Sequence, residues 1–225
     1  MIQALQEQLT LGRSLKLAVL ALVFLIAACG DKPAPAKSAS PPRILFLQEP
    51  QQEPCSSPEP IRKKIKHGSV IITPVATYCI AGQVMSKRKY TSGWGAEIAP
   101  FDLALVWGML TYPHVHKQLV IKHDSTRMAY FRMKGADPPV EMEYAASHGS
   151  NNHIIPATAN IHEAIDRHIK VHDKIVLHGF LVNAEGQSAD QRISLQTSLS
   201  RTDTGRGACE IIYVTRLQVD DKIYE

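Results

Sequence analysis

Apolar and polar positions alternate along most of the chain after residue 68, and this pattern predicts β-structure. Strands are predicted where β-branched and aromatic residues alternate with polar ones, at 69–73, 77–86, 127–133, 174–182, 192–200 and 208–219. Pro74 interrupts the first pair, and Gly179 predicts a bulge or strong bend in its strand. The stretch 100–110 is apolar almost throughout, so periodicity leaves both a short helix and a buried strand open.

One amphipathic helix is predicted from Ile161 to Lys170. Asn160 is a suitable N-cap, and Glu163 stands three residues later, as in a capping box. The apolar face carries Ile161, Ala164, Ile165, His168 and Ile169. With the strands, this predicts an α+β, mostly β domain. We expect a small curved sheet or a partly open barrel, OB-like or SH3-like, with one or two helices.

The N-terminus has the pattern of an export signal. Arg13 and Lys16 precede an apolar run from Leu17 to Ala28, which is too short to span a hydrocarbon core of about 30 Å comfortably. The run ends in Ile-Ala-Ala before Cys29, which resembles the lipobox of bacterial lipoproteins. An ordinary signal peptide, or a buried helix that ends in cysteine, remains the alternative.

The lipoprotein resemblance implies a location. Cys29 would become the lipidated N-terminus of a periplasm-facing protein in the bacterial cell envelope, anchored to the membrane by acyl chains of the palmitate type. An acidic residue directly after the cysteine is the inner-membrane retention signal of enteric bacteria. Here Gly30 intervenes before Asp31, which favours the outer membrane over the inner.

Composition divides the chain into three parts. Residues 1–28 are the expected signal peptide, and 29–67 form a lipidated, largely disordered tether rich in Pro, Gln and Ala. The short apolar patch 44–47 is expected to dock on the domain as a strand. Residues 68–220 are expected to form a single globular domain.

The net charge argues against nucleic acid as a partner. The formal charge is +4, and loss of Arg13, Lys16 and Glu7 with the leader lowers it by one. Two basic clusters are candidates for contact with an anionic membrane surface, and a solvated face is the alternative. They consist of Arg62, Lys63, Lys64 and Lys66, and of Lys87, Arg88 and Lys89 in an expected exposed turn.

The exported part carries three further cysteines. Cys79 and Cys209 fall in predicted strands, and an oxidising envelope permits a disulfide between them. Two buried, unreactive thiols are the alternative. The sequence holds no CxxC motif, which argues against a thioredoxin-type redox site.

Histidines supply the other candidate chemistry. His114 and His116 flank one residue, and His148 and His153 bracket a short polar loop. A zinc site needs three or four converging ligands, and neither pair provides them alone. Surface or capping histidines are the alternative. HExxH and GxSxG motifs are absent, and we predict no cofactor.

Several segments resemble a bacterial protein family of unknown function: 72–86, 100–108, His148 with 152–157, and 198–210. The resemblance spans about residues 44–219 and implies one compact domain, without implying an activity. Two functions stay open. The first is a non-enzymatic, lipid-anchored binding or scaffold module that contacts another envelope protein. The second is a metal-dependent or hydrolytic envelope enzyme that uses the histidines.

Overall fold

A computed structural model describes residues 35–135, 137–203, 205 and 207–225. The predicted signal peptide and the lipidation site Cys29 lie outside these residues. The strands are β1 Ala36–Lys37, β2 Gln51–Pro54, β3 Ile61–Ile65, β4 Gly68–Lys89, β5 Phe101–Val106, β6 Leu119–His123, β7 Ala129–Met133, β8 Gly149–Pro156, β9 Lys174–Ser188, β10 Gln191–Leu195, β11 Glu210–Val219 and β12 Lys222–Tyr224. The helices are α1 Trp94–Ile98, α2 Pro113–His116, α3 Met142–Ser147 and α4 Ala159–His168, with 3-10 turns at Arg43–Leu47 and Gly108–Thr111.

The large sheet curls into a partly ring-like arrangement. Strand β4 pairs with β5, β5 with β8, β8 with β11, β11 with β9, and β9 returns to β4. Only the pairing of β8 with β11 in this series is parallel. The longest described helix, α4, lies between β8 and β9. The expected mostly β fold with a curved, partly open sheet is confirmed, and the described part has four short helices rather than the expected one or two.

Side chains that point inward from the ring form the main core. Alternate residues of β5 and β9 contribute to it, and α4 adds its apolar face. Fully buried members include Phe101, Leu103, Leu105, Leu177 and Leu181. A separate apolar cluster lies under the β6–β7 hairpin. The hairpin therefore covers the outer face of the sheet beside β4 and β5.

Two features that were predicted ambiguously are resolved. The stretch 100–110 forms the buried strand β5 followed by a 3-10 turn. Pro74 does not end a strand, because β4 runs through it and its register shifts between Pro74 and Ala76. A shift of this kind accommodates a residue without an N–H donor.

The predicted helix is present with a different N-cap. Helix α4 begins at Ala159, and the Thr158 hydroxyl accepts a hydrogen bond from the Ile161 amide at 3.2 Å. Asn160 instead lies inside the first turn and donates to the carbonyl of Glu225. Ile161, Ala164 and Ile165 are buried as predicted.

The folded domain extends N-terminal of the predicted boundary at residue 68. Strands β2 and β3, which fall in the predicted tether, both pair with β4. Residues 44–47 do dock on the domain, but in a 3-10 turn rather than a strand, and Phe46 is buried against Ala81 and Val176. In the described part of the chain, no helix has both the length and the apolar character needed to cross a bilayer.

Gly179 allows two strands to approach closely. A Cβ atom there would lie 1.9 Å from the Tyr213 carbonyl oxygen on β11. The register of β11 against β9 shifts between Val214 and Arg216, directly beside this contact. The predicted irregularity at Gly179 therefore exists, with the extra residue on the facing strand.

We predict that Gly179→Ala lowers the free energy of unfolding by about 1–3 kcal/mol, because the added methyl group must push the backbone of β11 away. Gly149→Ala is the matched control, since a Cβ there meets its nearest atom at 3.6 Å. Urea denaturation of both variants measures the difference. Equal stability of the two variants would contradict this account of the strand contact.

Candidate functional site

A cluster of polar side chains lies on the outer face of the sheet, under the β6–β7 hairpin. Asp102 on β5 is the register partner of His153 on β8, so their side chains emerge on the same face. Asn151 lies two residues before His153 on this face, and Cys209 directly precedes β11, the parallel neighbour of β8. Three adjacent strands thus bring four polar residues together.

Asp102 is the centre of this cluster. Its side chain is fully buried and accepts a 2.7 Å hydrogen bond from His153 Nδ1. Arg127 forms a two-pronged ion pair with the same carboxylate, with Nε 3.1 Å from Oδ2 and the second contact between Nη2 and Oδ1. A paired, hydrogen-bonded carboxylate avoids most of the cost of burial that an isolated one would incur.

The turn between β6 and β7 presents Arg127. Asp124 Oδ1 accepts hydrogen bonds from the amides of Thr126 and Met128 at 2.8 and 3.0 Å. This tight turn holds Arg127 at φ 68°, in the left-handed region that side chains other than glycine rarely adopt. Backbone strain of this kind costs on the order of 1 kcal/mol and is retained where the surroundings fix it.

The Arg127 guanidinium is also held by groups outside the ion pair. It donates to the carbonyls of Gly95 and Ala99 at 3.2 and 2.8 Å. The Tyr90 ring lies below it, 4.2 Å from the guanidinium carbon to the ring centroid. Burial and the negative charge of Asp102 raise the pKa of Tyr90 to about 12.

Cys209 completes the cluster on the other side of His153. Its thiol lies close enough to the His153 imidazole to raise the pKa of that imidazole. The Asn151 amide donates to the same sulfur at 3.3 Å and to the carbonyl of Arg127 at 2.8 Å. The sulfur atom therefore has a histidine and an amide donor as neighbours.

A second chain of hydrogen bonds fixes the Asn151 amide. Its oxygen lies 2.9 Å from His123 Nε2, and Ser86 Oγ lies 2.9 Å from His123 Nδ1. Because the Asn151 oxygen can only accept, Nε2 carries the proton and Nδ1 accepts from Ser86. Burial lowers the pKa of His123, which agrees with this neutral form.

The charges in the cluster support one another. Burial alone would raise the pKa of Asp102, but hydrogen bonds and charge from His153 and Arg127 outweigh it and hold the pKa below its usual range. Burial alone would lower the pKa of His153, but Asp102 and Cys209 raise it to about 9. His153 is therefore an imidazolium at neutral pH.

An open cleft of about 710 Å³ leads to this cluster. Its walls come from the β6–β7 turn, strand β10 and the segment before β11. The lining residues are Thr126, Arg127, Met128, His153, Ser194, Leu195, Gln196, Gly207, Cys209 and Ile211. Both His153 and Cys209 thus border a space that a ligand can enter.

The loop before Cys209 is tied to the domain. Ser198 donates to Asp203 at 2.6 Å, and its amide donates to the Cys209 carbonyl at 3.0 Å. Arg201 forms an ion pair with the buried Glu210, which faces away from the cleft. Burial raises the pKa of Glu210 to about 7 despite that partner. These bonds fix the position of the thiol at the start of β11.

The four histidines of the predicted metal or ligand site do not converge. His148 stacks on Tyr144 and contacts Glu49, and His114 stacks on Tyr112. His116 lies beside His172, which leaves only His153 in the cluster. Among the described residues, no group of three or more His, Cys, Asp or Glu side chains is placed to hold a metal ion.

The predicted disulfide between Cys79 and Cys209 is not formed. Cys55, Cys79 and Cys209 are free thiols. Cys79 on β4 lies 4.0 Å from His178 on β9, whereas Cys209 is hydrogen-bonded within the cluster. The two sulfur atoms have separate partners on different parts of the ring.

Only one of the two basic clusters is freely exposed. Strand β4 continues to Lys89, so Lys87–Lys89 is not the predicted exposed turn. Lys87 donates to three backbone carbonyls near the end of α4, Arg88 donates to the Asp124 carbonyl, and Lys89 pairs with Asp166. In the other cluster Lys63 contacts the Ile98 carbonyl, while Arg62, Lys64 and Lys66 are exposed on β3 and the turn after it.

Sequence reasoning missed Asp102, Arg127 and Asn151 as site residues. A signal for Asp102 exists, because it is the single charge in the otherwise apolar strand 101–106. Arg127 and Asn151 carry no comparable signal, since their partners are distant in sequence.

Comparisons with protein-family models, curated proteins and solved structures find no match to this chain.

We predict that Asp102→Asn lowers the pKa of His153 from about 9 towards 6.5, because it removes the negative charge beside Nδ1. Histidine NMR titrations of the wild type and the variant measure this shift. Asp166→Asn, which removes an exposed ion pair with Lys89, is the control and leaves His153 unchanged.

The same shift has a consequence for stability. Because folding raises the pKa of His153, its stabilising contribution is complete below about pH 6.5 and is lost as the pH rises through about 9. The melting temperature of the wild type is therefore expected to fall more steeply than that of Asp102→Asn across this range. Parallel curves for the two proteins would contradict the coupling of His153 to Asp102.

Proposed function

We propose that this chain is a lipid-anchored binding module of the bacterial cell envelope, which takes its ligand into the cleft between the β6–β7 turn and β10. The observation that carries the proposal is the position of this cleft on the ring. It lies over β8 and beside the loop that joins β9 to β11.

The position matters because of how OB-like sheets bind. Such folds use the face of their second and third strands, together with the loops after the first and fourth strands. The corresponding parts here are β5 and β8, residues 90–100 and residues 189–209. Fold-level analogy of this kind gives a location for binding, and the chemistry of the lining residues has to supply the ligand class.

Apart from Arg127 and His153, whose charges are paired with Asp102, the lining side chains are uncharged and favour a polar, uncharged chain. Thr126, Ser194 and Gln196 offer hydroxyl and amide groups, while Met128 and Leu195 offer apolar contacts. This mixture suits an oligosaccharide, whose faces are apolar and whose edges carry hydroxyl groups. The modest net charge argues against nucleic acid, the other common ligand of OB-like folds. A glycan, free or carried by an envelope protein, is thus the ligand class that we propose.

Anchoring rests on the N-terminal sequence. The leader and its lipobox-like end support lipidation at Cys29 and a periplasm-facing location, with the outer membrane favoured over the inner. The exposed residues Arg62, Lys64 and Lys66 support a weak additional contact with anionic headgroups. A metal-dependent alternative finds no support, since the four candidate histidines have separate partners.

The anchor is tested by expressing the full chain in a Gram-negative host. We expect wild type and Cys55→Ser in the membrane fraction and Cys29→Ser outside it, because only Cys29 receives the lipid. Mass spectrometry of the N-terminal peptide identifies the acylated cysteine. An intact leader, or an unmodified sulfur at Cys29, would rule the anchor out.

The cleft is tested with a defined probe, the tetramer of N-acetylglucosamine. Hydrogen exchange of the full chain is expected to slow in peptides that cover 194–196 and 207–211, and to stay unchanged at 61–65. Ser194→Arg is expected to abolish the effect by blocking the cleft, and Leu199→Arg, exposed and outside the lining, to preserve it. Unchanged exchange at millimolar probe, or slowing confined to other regions, would overturn the proposal.

A further inference from the structure

We propose that Cys209 is a nucleophilic thiol that, with His153 and Asp102, hydrolyses acyl esters presented in the cleft. Three observations carry this inference: the arrangement of the three side chains, the positive charge around the thiol, and access from the cleft. It rests on the proposed function only in taking the ester to be carried by the ligand in the cleft.

The three side chains are arranged in the order that nucleophilic catalysis requires. Such a site needs a nucleophile beside a base, and a third group that orients the base. Cys209, directly before β11, and His153, on the neighbouring parallel strand β8, border the same cleft, and the buried carboxylate of Asp102 accepts from Nδ1 of the imidazole. The three residues come from three adjacent strands or strand ends, so the sheet register itself fixes their order.

The neighbours of Cys209 carry a net positive charge. Arg127 and the imidazolium of His153 supply two positive charges, and Asp102 supplies one negative charge. The other titratable or charged groups that face the cluster in the described part of the chain are Tyr90, the neutral His123 and Arg88, and Arg88 adds a further positive charge. Cationic neighbours stabilise the negative charge of an attacking sulfur.

Asn151 is a positioning residue for the sulfur. Its amide N–H points at Sγ because its oxygen is held by His123 and its second N–H by the Arg127 carbonyl. An N–H donor adds to the stabilisation of negative charge on the sulfur and limits its movement. Cys209 is 8% exposed and borders the cleft, so the sulfur is shielded from bulk water while a ligand can reach it.

The reaction balances without a cofactor. The thiolate attacks the ester carbonyl carbon, an S–C bond forms, and the C–O bond to the leaving alcohol breaks as the imidazolium of His153 gives it a proton. The product is a thioester on Cys209 and a free alcohol. Water then attacks the thioester carbonyl while neutral His153 accepts a proton from it. The C–S bond breaks, which releases a carboxylic acid and restores the thiolate–imidazolium pair.

The chain contains its own control thiol. Cys79 also lies beside a histidine, with 4.0 Å between its sulfur and His178 Nε2, and it borders another open cleft of about 660 Å³. Burial raises the pKa of Cys79 and lowers the pKa of His178. Among the described residues, no carboxylate accepts a hydrogen bond from His178. The two cysteine–histidine pairs thus differ in one respect: Asp102 orients the imidazole of His153, and no carboxylate of the described residues does so for His178.

The first measurement compares both thiols within the folded full chain. Iodoacetamide labelling near pH 6, followed by peptide mass spectrometry, is expected to label Cys209 at least about tenfold faster than Cys79. Equal rates would overturn the proposal without any variant.

The second measurement uses p-nitrophenyl acetate as the ester. An acetyl group is expected on the Cys209 peptide and none on Cys79, with a burst of p-nitrophenol followed by slower turnover. His153→Ala is expected to remove the acetyl adduct and the burst. Asp102→Asn is expected to reduce the acylation rate about a hundredfold or more, because the imidazole of His153 is then no longer held in place. Asn151→Asp, which reverses the donor at the sulfur, is expected to lower the acylation rate and shift its pH profile upwards.

Folding and ligand binding are monitored separately. Circular dichroism of each variant identifies loss of activity that comes from unfolding, and the wild-type comparison of the thiols is independent of it. Cys209→Ser is expected to retain the exchange protection by the glycan tetramer and to lose the acetyl adduct. If the glycan tetramer slows hydrogen exchange but the wild type gains no acetyl group on Cys209, the thiol chemistry alone is overturned. Acetylation without protection would overturn glycan binding alone.

Discussion

The fully buried carboxylate of Asp102 is the constraint on which the outer face of this protein depends. An ionised carboxylate removed from water is tolerated only with partners, and Asp102 finds them in His153 and Arg127. His153 lies on another strand and Arg127 lies at the tip of a hairpin. The ion pair of Asp102 with Arg127 therefore fixes the hairpin tip against the sheet. The turn that Asp124 holds places Arg127 at its positive φ, and the guanidinium reaches the carboxylate from this position.

The fold was largely predictable from local pattern. Alternation located the strands that became β4, β7, β9, β10 and β11, because one face of each is buried. Where the hydrophobic pattern predicted the wrong cap or element, a different local interaction is present in the structure. Thr158 rather than Asn160 caps α4, and the apolar patch 44–47 is a 3-10 turn that buries Phe46. Strands β2 and β3 were missed because their burial is slight and their pairing with β4 is non-local.

The candidate site was predictable only in part. His153 and Cys209 were selected for their chemistry, but each was given the wrong partners. Spacing along the chain cannot reveal that Asp102 is 51 residues from His153 and 25 from Arg127, since strand register creates both contacts. The disulfide between Cys79 and Cys209 was one of two predictions, and it is wrong because the position of both residues in predicted strands does not reveal which strands are neighbours. Burial of one charge in an apolar strand was the available clue, and it points to an ion pair without identifying the partner.

Strand β3 has a consequence for how the protein behaves at high concentration. It pairs with β4 on one side, and the backbone along its other side is not part of a described strand pairing. Exposed strand edges recruit other chains, and charged side chains are a common protection against this. Arg62 and Lys64 project from β3 itself, so two copies that meet edge to edge would bring like charges together. A protein at high local concentration gains solubility from this mutual repulsion.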